Sequence, residues 1–189
     1  VDRVLGNREK ALSRSYAFSA ADARRVVASD IMADGNAPAA SASSFAPHSR
    51  GFVAVQTGCA HRCTFCTIAF ARGPSRSVPA GEVILAVNRM IGSGAREIVL
   101  VAQDLASYGR DQGQGERQIV ELIEQAATRA DWVRLLYLYP SDLTDRLVDA
   151  ILSTEVPYFD LSLQHVSRPL LRRMRRWGDG DRFLRRIED

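Results

Sequence analysis

The stretch GFVAVQTGCAHRCTFC, residues 51–66, joins a short apolar run to three closely spaced cysteines. Its first part, Phe52–Thr57, is rich in β-branched and aromatic residues and predicts a strand. Cys59, Cys63 and Cys66 follow it and are the only cysteines of the sequence. A disulfide framework needs an even number of cysteines spread along a small secreted protein. The three thiols are therefore interpreted as metal ligands in a reducing compartment.

After this loop the sequence alternates between apolar runs and stretches with helical spacing. Further strands are predicted over 97–102, 132–139 and 158–163, and helices over 79–91, 118–130, 143–152, 169–177 and 181–187. Four strand–helix units in succession imply a parallel sheet with right-handed crossovers, and the weak polar alternation fits a sheet covered on both faces. The predicted fold class is α/β. A partial parallel (β/α) barrel of about four βα units and an open doubly wound sheet both satisfy the pattern.

By composition the chain divides into three parts. Residues 1–32 form a short mixed segment in which Arg25–Ile31 is a candidate strand. Residues 33–50 are rich in Ala, Ser, Pro and Gly and have almost nothing to bury, which predicts a linker or long loop. Residues 51–189 carry the alternating pattern and are predicted to form the main domain.

The bulk composition of the 189 residues, 46% hydrophobic and 25% charged, is that of an ordinary soluble globular protein. No apolar run approaches the roughly 20 residues that span a bilayer, and the first residues, VDRVLGNREK, lack an initiator methionine and a signal peptide. A cytoplasmic fragment without membrane attachment is therefore expected. Arginine supplies 24 of the 25 basic residues, so the net charge of +3 is attributed to genomic base composition.

Three thiolates at this spacing can hold three corners of a [4Fe–4S] cubane and leave the fourth iron without a protein ligand. The open iron can chelate the amino and carboxylate groups of S-adenosylmethionine, and an electron from the reduced cluster then breaks a carbon–sulfur bond. The products are methionine and a 5′-deoxyadenosyl radical. Structural zinc is the alternative, with His61 or His48 as fourth ligand. His61 lies between the cysteines, where a tetrahedron would be strained, and His48 lies in the predicted linker.

Polar residues collect at the predicted carboxyl ends of the strands. Besides the cysteine loop, these ends carry Gln103 and Asp104, the segment Tyr139–Asp142, and Gln164 with His165. Parallel α/β folds place their functional sites at this edge of the sheet. The function of the chain is therefore expected to gather there.

An arginine-rich run near the end of the chain, residues 168–176, has helical spacing. Its apolar members are predicted to face the core: Leu170, Leu171, Met174 and Trp177. Its later arginines are predicted to share a solvated outer face rather than an RNA contact: Arg172, Arg173, Arg175 and Arg176.

Several stretches resemble the methylthiotransferases, the MiaB/RimO/MtaB family of radical S-adenosylmethionine (radical SAM) enzymes. The run GCAHRCTFCTIAFARGPSRSVP, residues 58–79, is similar to the family's core motif, and residues 96–111 and 158–176 also match its pattern. VLGNREK, residues 4–10, looks like the end of the family's N-terminal domain. The resemblance implies a partial barrel of the radical SAM type over 51–189, incomplete at its C-terminus. A remnant of the N-terminal domain precedes it.

The resemblance also implies a reaction. The family uses a [4Fe–4S] cluster and S-adenosylmethionine to generate a 5′-deoxyadenosyl radical for methylthiolation of a C–H bond. The segments AQDLASYGRD, RLLYLYPSDLTD and YFDLSLQH favour an aspartate of a small-subunit ribosomal protein as acceptor. The segments VLGNREK and CTFCTIAFARGPSRSVP favour the adenosine next to the tRNA anticodon. Another radical SAM enzyme and a non-catalytic zinc-binding module are the alternatives.

In the family, three further cysteines hold an auxiliary cluster that supplies the sulfur, and a flavodoxin or ferredoxin is the expected electron donor. This chain has no cysteine beyond the three of the loop. The chain alone is therefore expected to form the radical without completing thiolation.

By the same resemblance, Gln103 and Asp104 fall where related enzymes contact the methionine amino group, and Gln164 falls where the nucleoside binds. Arg72 and Arg76 belong to an RGxxRS stretch that follows the cluster motif, and they are expected to hold the cofactor or to pack within the loop. These five are the candidate cofactor-binding residues.

Overall fold

A computed structural model describes Val4–Leu5, Val26–Val27, Ser41–Ser44 and residues 49–113, 117–176 and 178–188. The strands are β1 (Val4–Leu5), β2 (Val26–Val27), β3 (Ser41–Ser44), β4 (Arg50–Ala54), β5 (Gln56–Thr57), β6 (Arg76–Ser77), β7 (Glu97–Val101), β8 (Trp132–Leu138) and β9 (Phe159–Leu161). The helices are α1 (Ile68–Arg72), α2 (Ala80–Gly92), α3 (Ile119–Ala127), α4 (Asp145–Leu152), α5 (Arg168–Arg173) and α6 (Gly180–Glu188), with short 3₁₀ helices at Leu105–Ser107 and Pro140–Asp142. Within these residues, no helix is long and apolar enough to cross a membrane.

The main sheet has the order β3–β4–β7–β8–β9, and β4, β7, β8 and β9 run parallel. Helices α2, α3 and α4 connect successive parallel strands. Each new strand is added on the same side of the preceding one, whereas a doubly wound sheet reverses its order at one point. The described strands are therefore part of a parallel (β/α) barrel. This confirms the predicted α/β fold class and decides between the two arrangements that the sequence left open.

The helices pack on one face of the sheet. Apolar residues recur at the helical period in the helices and at every second position in the strands, so each element presents an apolar side to the other. The core they share is fully buried and includes Val53 of β4, Ile98 and Leu100 of β7, Val87 of α2 and Ile123 of α3. The hydroxyl of Thr144 accepts a hydrogen bond from the Leu147 amide at 3.2 Å and so fixes the start of α4.

The face of the sheet away from this core is polar at the amino ends of the strands. The buried Glu97 carboxylate accepts hydrogen bonds from Arg50 Nε at 2.6 Å and Arg134 Nε at 2.5 Å. The guanidinium carbon of Arg134 lies 4.0 Å from the ring centroid of Tyr158, just before β9. These contacts tie β4, β7 and β8 together at the end of the sheet opposite the cysteines.

Part of the predicted linker forms a strand. Ser41–Ser44, within 33–50, forms β3 and pairs antiparallel with β4. Small residues give no apolar periodicity, so this pairing follows from the open edge of β4, whose backbone groups need partners. The linker prediction is wrong for these four residues, and most of 33–48 lies outside the described residues. Within the candidate strand Arg25–Ile31, Val26–Val27 pairs in parallel with Val4–Leu5.

The cysteine loop is closed by a short antiparallel pairing of β5 with β6, in which Gln56 lies opposite Ser77. On one side of this pairing, called the β5–β6 clasp below, the Val55 amide donates to the Val101 carbonyl of β7 at 3.0 Å. On the other side, the Val78 amide donates to the Val55 carbonyl at 2.8 Å. Both ends of the loop are thus held beside the carboxyl end of β4.

The loop begins at Gly58, where the chain needs a glycine for two reasons. Its φ is +76°, in the left-handed region, and a Cβ there would lie 2.0 Å from the Pro74 carbonyl oxygen. The next amide, that of Cys59, donates to the Gly73 carbonyl at 3.1 Å. The outgoing and returning chains therefore approach more closely than any side chain at position 58 allows.

A network of hydrogen bonds between β6 and the turn after β7 supports the β5–β6 clasp. The Ser77 hydroxyl, fully buried, donates to Asp111 Oδ1 at 2.5 Å and accepts from the Gly109 amide at 2.9 Å, and the Ser77 amide donates to Asp111 Oδ2 at 2.7 Å. The Tyr108 hydroxyl donates to the Val78 carbonyl at 2.6 Å. Burial, together with the Asp111 charge, raises the pKa of Tyr108 to about 12. The turn after β7 is thereby fastened to β6.

We expect Gly58→Ala to lower the free energy of unfolding by at least about 1–3 kcal/mol, the cost of a non-glycine residue held at positive φ, because the clash with Pro74 adds to it. Gly81→Ala in α2 is the matched control, since a Cβ at Gly81 meets nothing within 4 Å and alanine favours a helix by roughly 0.5–1 kcal/mol. Urea denaturation followed by circular dichroism measures both. Equal stability of the two variants would contradict the close approach at Gly58.

Candidate functional site

A cavity of about 380 Å³ opens at the carboxyl ends of the parallel strands. All three cysteines line it, together with residues at or beyond the carboxyl ends of β7, β8 and β9. These include Gln103, Asp104, Tyr137, Tyr139, Ser162, Gln164 and Arg176. The structure thus brings the cysteine loop and three of the five candidate cofactor-binding residues into one cavity.

The other two candidates, Arg72 and Arg76, do not line this cavity. Arg72 ends α1 and Arg76 begins β6, and Arg76 Nη2 donates to the Arg72 carbonyl at 3.5 Å. They lie on the return path of the cysteine loop. His165 also does not line the cavity, and its Nδ1 accepts from the Ser167 amide at 2.8 Å, just before α5.

The three thiols are free and partly exposed. Burial raises the pKa of the Cys59 thiol, a hydrogen bond with the His61 backbone opposes this rise, and the Asp104 carboxylate adds to it. Among the described residues, only His61, Asp104 and Asp142 bring metal-ligating atoms within 4.8 Å of one another. The three thiols are not part of such a group in the described structure.

His61 is turned towards carboxylates rather than towards the cysteines. Its Nε2 lies 2.9 Å from Asp104 Oδ2 and 3.8 Å from Asp142 Oδ2. Its ring stacks on Tyr139 with the centroids 3.9 Å apart and an angle of 15° between the planes. This orientation disfavours His61 as the fourth ligand of a zinc ion. His48, the other candidate ligand, lies outside the described residues.

Both carboxylates that face His61 are buried, Asp104 at 3% and Asp142 at 8% exposure. The Arg117 guanidinium donates to Asp142 and balances part of the negative charge. These residues come from the cysteine loop, the β7 end, the β8 end and the start of α3. Sequence reasoning missed the group because its members share no local motif and meet only when the strand ends are aligned.

The prediction that Arg176 lies on a solvated face is wrong. Helix α5 ends at Arg173, and Arg175 takes a φ of +52°, which turns the chain so that Arg176 becomes 92% buried. The Arg176 guanidinium lies 4.2 Å from the Tyr139 ring centroid, donates to the Ser162 carbonyl and places Nη1 3.7 Å from Cys63 Sγ.

The predicted apolar face of this helix is confirmed for Leu171, which is buried. Leu170 and Met174 are half-buried, and Trp177 lies outside the described residues. Arg172, Arg173 and Arg175 are exposed, as the sequence predicted.

Backbone strain is concentrated around the cavity. Three described residues other than glycine have positive φ: Tyr137 at +64°, Gln164 at +66° and Arg175 at +52°. Tyr137 and Gln164 line the cavity, and Arg175 precedes a residue that does. Such conformations cost of order 1–3 kcal/mol each and persist where the surrounding structure enforces them, often at functional sites.

Two buried acceptors at the end of β7 have no hydrogen-bond partner within the described part of the chain. They are Gln103 Oε1 and Asp104 Oδ1. Buried polar atoms are normally paired, and an exception at a cavity wall points to a ligand or water that completes the pairing.

Comparison with known proteins gives a consistent family. Residues 53–189 match the Radical SAM superfamily. The ribosomal protein uS12 methylthiotransferase RimO of Cutibacterium acnes is 41% identical over 140 residues, 70% of this chain and 28% of that protein. RimO of Moorella thermoacetica is 44% identical over 142 residues, 72% and 32% of the two chains. The threonylcarbamoyladenosine tRNA methylthiotransferase MtaB of Rickettsia prowazekii is 33% identical over 180 residues, 93% and 42%. The chain thus spans well under half the length of these relatives.

Among solved structures, the radical S-adenosylmethionine methyltransferase TsrM from Kitasatospora setae, with tryptophan substrate and aza-SAM bound, matches with a TM-score of 0.53. The match covers 72% of this chain and 28% of that one at 13% identity. At this identity the likeness concerns the fold alone.

We expect Asp104→Asn to speed the alkylation of Cys59 in the apo-protein at pH 8. The Asp104 charge raises the pKa of this thiol, so its removal lowers the pKa and increases the thiolate, the form that reacts. The increase should stay below about tenfold, the factor for one full pKa unit. Iodoacetamide labelling read by peptide mass spectrometry measures it. Asp131→Asn, at an exposed carboxylate paired with Arg96, should leave the rate unchanged, and a slower reaction of the Asp104 variant would contradict the electrostatic account.

Proposed function

The chain belongs to the radical SAM superfamily and, within it, to the methylthiotransferase family, and on that basis we propose that it carries the radical-generating site of a methylthiotransferase. One observation carries the proposal. The three cysteines, on the loop that follows the first parallel strand, line the same cavity as Gln103 and Gln164 from the ends of other strands. A cluster and a small cofactor can meet in that cavity.

The residues present fit a [4Fe–4S] cluster. Cys59, Cys63 and Cys66 would hold three of its irons, and all three line one cavity at the strand ends. When bound, the cluster and S-adenosylmethionine supply the 5′-deoxyadenosyl radical that removes hydrogen from the acceptor. The chain's own part is to fix the loop through Gly58 and the β5–β6 clasp, so that the thiols face the cavity.

The same cavity fits S-adenosylmethionine. Gln103 Oε1 and Asp104 Oδ1 are buried acceptors without described partners, and an ammonium group offers the donors they lack. We assign these two residues to the methionine amino group and Gln164 to the nucleoside. Arg72 and Arg76 are assigned to support of the loop, because they lie on its return path and outside the cavity.

The proposed acceptor is an aspartate of a small-subunit ribosomal protein. The RimO relatives of Cutibacterium acnes and Moorella thermoacetica, named for ribosomal protein uS12, support it. The second candidate is the adenosine next to the tRNA anticodon, because the MtaB of Rickettsia prowazekii matches 93% of this chain. Either acceptor favours a cytoplasmic site of action with a flavodoxin or ferredoxin as electron donor. All three cysteines are assigned to one cluster, so sulfur transfer requires thiolates from outside these 189 residues.

Replacing any one cysteine of the loop should abolish the cluster, because three thiolates are the minimum that leaves one iron open. We expect Cys63→Ala to bind far fewer than four irons after anaerobic reconstitution with iron and sulfide, and to lose the broad brown absorbance. Ser75→Ala, which removes a hydroxyl that accepts from the Ala60 amide on the same loop, should still load the cluster. A Cys63→Ala protein with four irons that cleaves S-adenosylmethionine would refute the assignment.

Gln103→Ala should weaken S-adenosylmethionine binding by about 1–3 kcal/mol, the range for a lost buried hydrogen-bond partner, while the iron content stays the same. Anaerobic calorimetry of the reconstituted protein measures the affinity. Gln112→Ala is the control, because this glutamine donates to the Ser77 carbonyl and does not line the cavity. Unchanged affinity in the Gln103 variant would remove that residue from the cofactor site.

The 189-residue chain, reconstituted and reduced, is expected to release 5′-deoxyadenosine without methylthiolating a ribosomal protein or tRNA, because it has no thiolates for a second cluster. The complete protein encoded by its gene, expressed in a host that lacks both activities, should form the product. Mass spectrometry of ribosomal protein uS12 and of tRNA nucleosides then identifies the acceptor. Methylthiolation by the isolated chain would contradict the two-cluster argument.

A further inference from the structure

The segment that follows α5 is fastened to the cysteine loop. The Thr64 amide donates to the Met174 carbonyl at 3.1 Å, and the Thr64 hydroxyl donates to the Arg173 carbonyl at 3.1 Å. Two residues further along, Arg176 Nη1 lies 3.7 Å from Cys63 Sγ. More than a hundred residues separate the two partners along the chain, yet the contacts fall on consecutive positions of the loop.

Arg176 is 92% buried, and a buried guanidinium is costly unless its charge and its donors are satisfied. The Ser162 carbonyl and the face of the Tyr139 ring satisfy part of it. Within the described residues, no carboxylate forms an ion pair with this arginine. The Cys63 sulfur, 3.7 Å from Nη1, is the loop atom that this guanidinium approaches.

We propose that Arg176 is a positioning residue that locks the 173–176 segment onto the cysteine loop and holds a fixed positive charge against the Cys63 ligand. The proposal rests on the function proposed above, since it assigns Cys63 to the cluster. A donor and a positive charge beside a ligating sulfur stabilise the thiolate and favour the reduced, more negative state of the cluster. The same guanidinium stacks on Tyr139, which stacks on His61. Arg176 therefore contacts the loop directly at Cys63. Through Tyr139 and His61 it also supports the part of the loop near Cys59.

The backbone before Arg176 agrees with this role. Arg175 is held at a φ of +52°, a conformation that costs of order 1–3 kcal/mol for a residue with a side chain. The strained turn is what directs Arg176 inward while Arg175 remains exposed.

The first test uses the apo-protein and does not depend on the cluster. Hydrogen–deuterium exchange of peptides that contain Thr64 is compared between wild type, Arg176→Met and Arg172→Met. Methionine keeps the length of the stem but removes the charge and the donors, and Arg172 is an exposed arginine of α5, just before the segment that carries Arg176. We expect severalfold faster exchange in Arg176→Met only. Equal exchange in all three proteins would overturn the lock.

The second test measures the midpoint potential of the reconstituted cluster by EPR-monitored redox titration, without S-adenosylmethionine. We expect Arg176→Met to shift the potential to a more negative value, Arg176→Lys to shift it less because the charge is kept, and Arg172→Met to leave it unchanged. An unshifted potential in Arg176→Met, with the iron content of wild type, would overturn the electrostatic role. If Arg176→Met does not fold, Arg176→Lys decides the lock by exchange, and Arg176→Gln, which keeps donors without the charge, decides the electrostatic role. If wild type loads no iron, the proposed function fails, whereas the apo-protein exchange still decides the lock.

Discussion

The antiparallel pairing of β5 with β6 holds both ends of the cysteine loop beside the first parallel strand, and the rest of the site is built around that closure. The pairing is only two residues long on each side, so it depends on support from elsewhere. Gly58 allows the outgoing and returning chains to touch, and buried Ser77 fastens β6 to Asp111 in the turn after β7. Because β7 is itself paired in parallel with β4, the loop has a fixed position relative to the sheet, and its thiols open into one cavity.

Around that cavity, the structure departs from regular geometry. Tyr137, within β8, and Gln164, just beyond β9, have positive φ. The core between the parallel sheet and the helices is buried, and these two strained residues line the cavity instead. This is the pattern of a rigid scaffold that imposes unfavourable local conformations on its functional edge. The stacked series Arg176, Tyr139 and His61 then joins the strand ends to the loop.

Charges of both signs lie near the thiols. Asp104 and Asp142 are buried on one side of His61, and Arg117 pairs with Asp142. Arg176 is a positive group that reaches Cys63. In a cavity partly shielded from water these charges act over longer distances than they would at the surface. They therefore help to determine the environment of any group held by the cysteines.

The sequence alone determined the α/β class, the order of the four parallel strands with the main helices between them, and the cysteine motif, because periodicity and ligand spacing are local properties. It also predicted that Gln103, Asp104 and Gln164 lie at one edge of the sheet, where they line the cavity, because in a parallel sheet residues at strand ends share one edge. It did not determine which face Arg176 takes, because a helical period assumes that the helix continues, and here α5 stops at Arg173. It did not reveal the partners of His61 or the β3 pairing at Ser41–Ser44. Those contacts join positions far apart in the chain, and only the packed tertiary structure supplies the open strand edge, the aligned strand ends and the positive φ at Arg175 that create them.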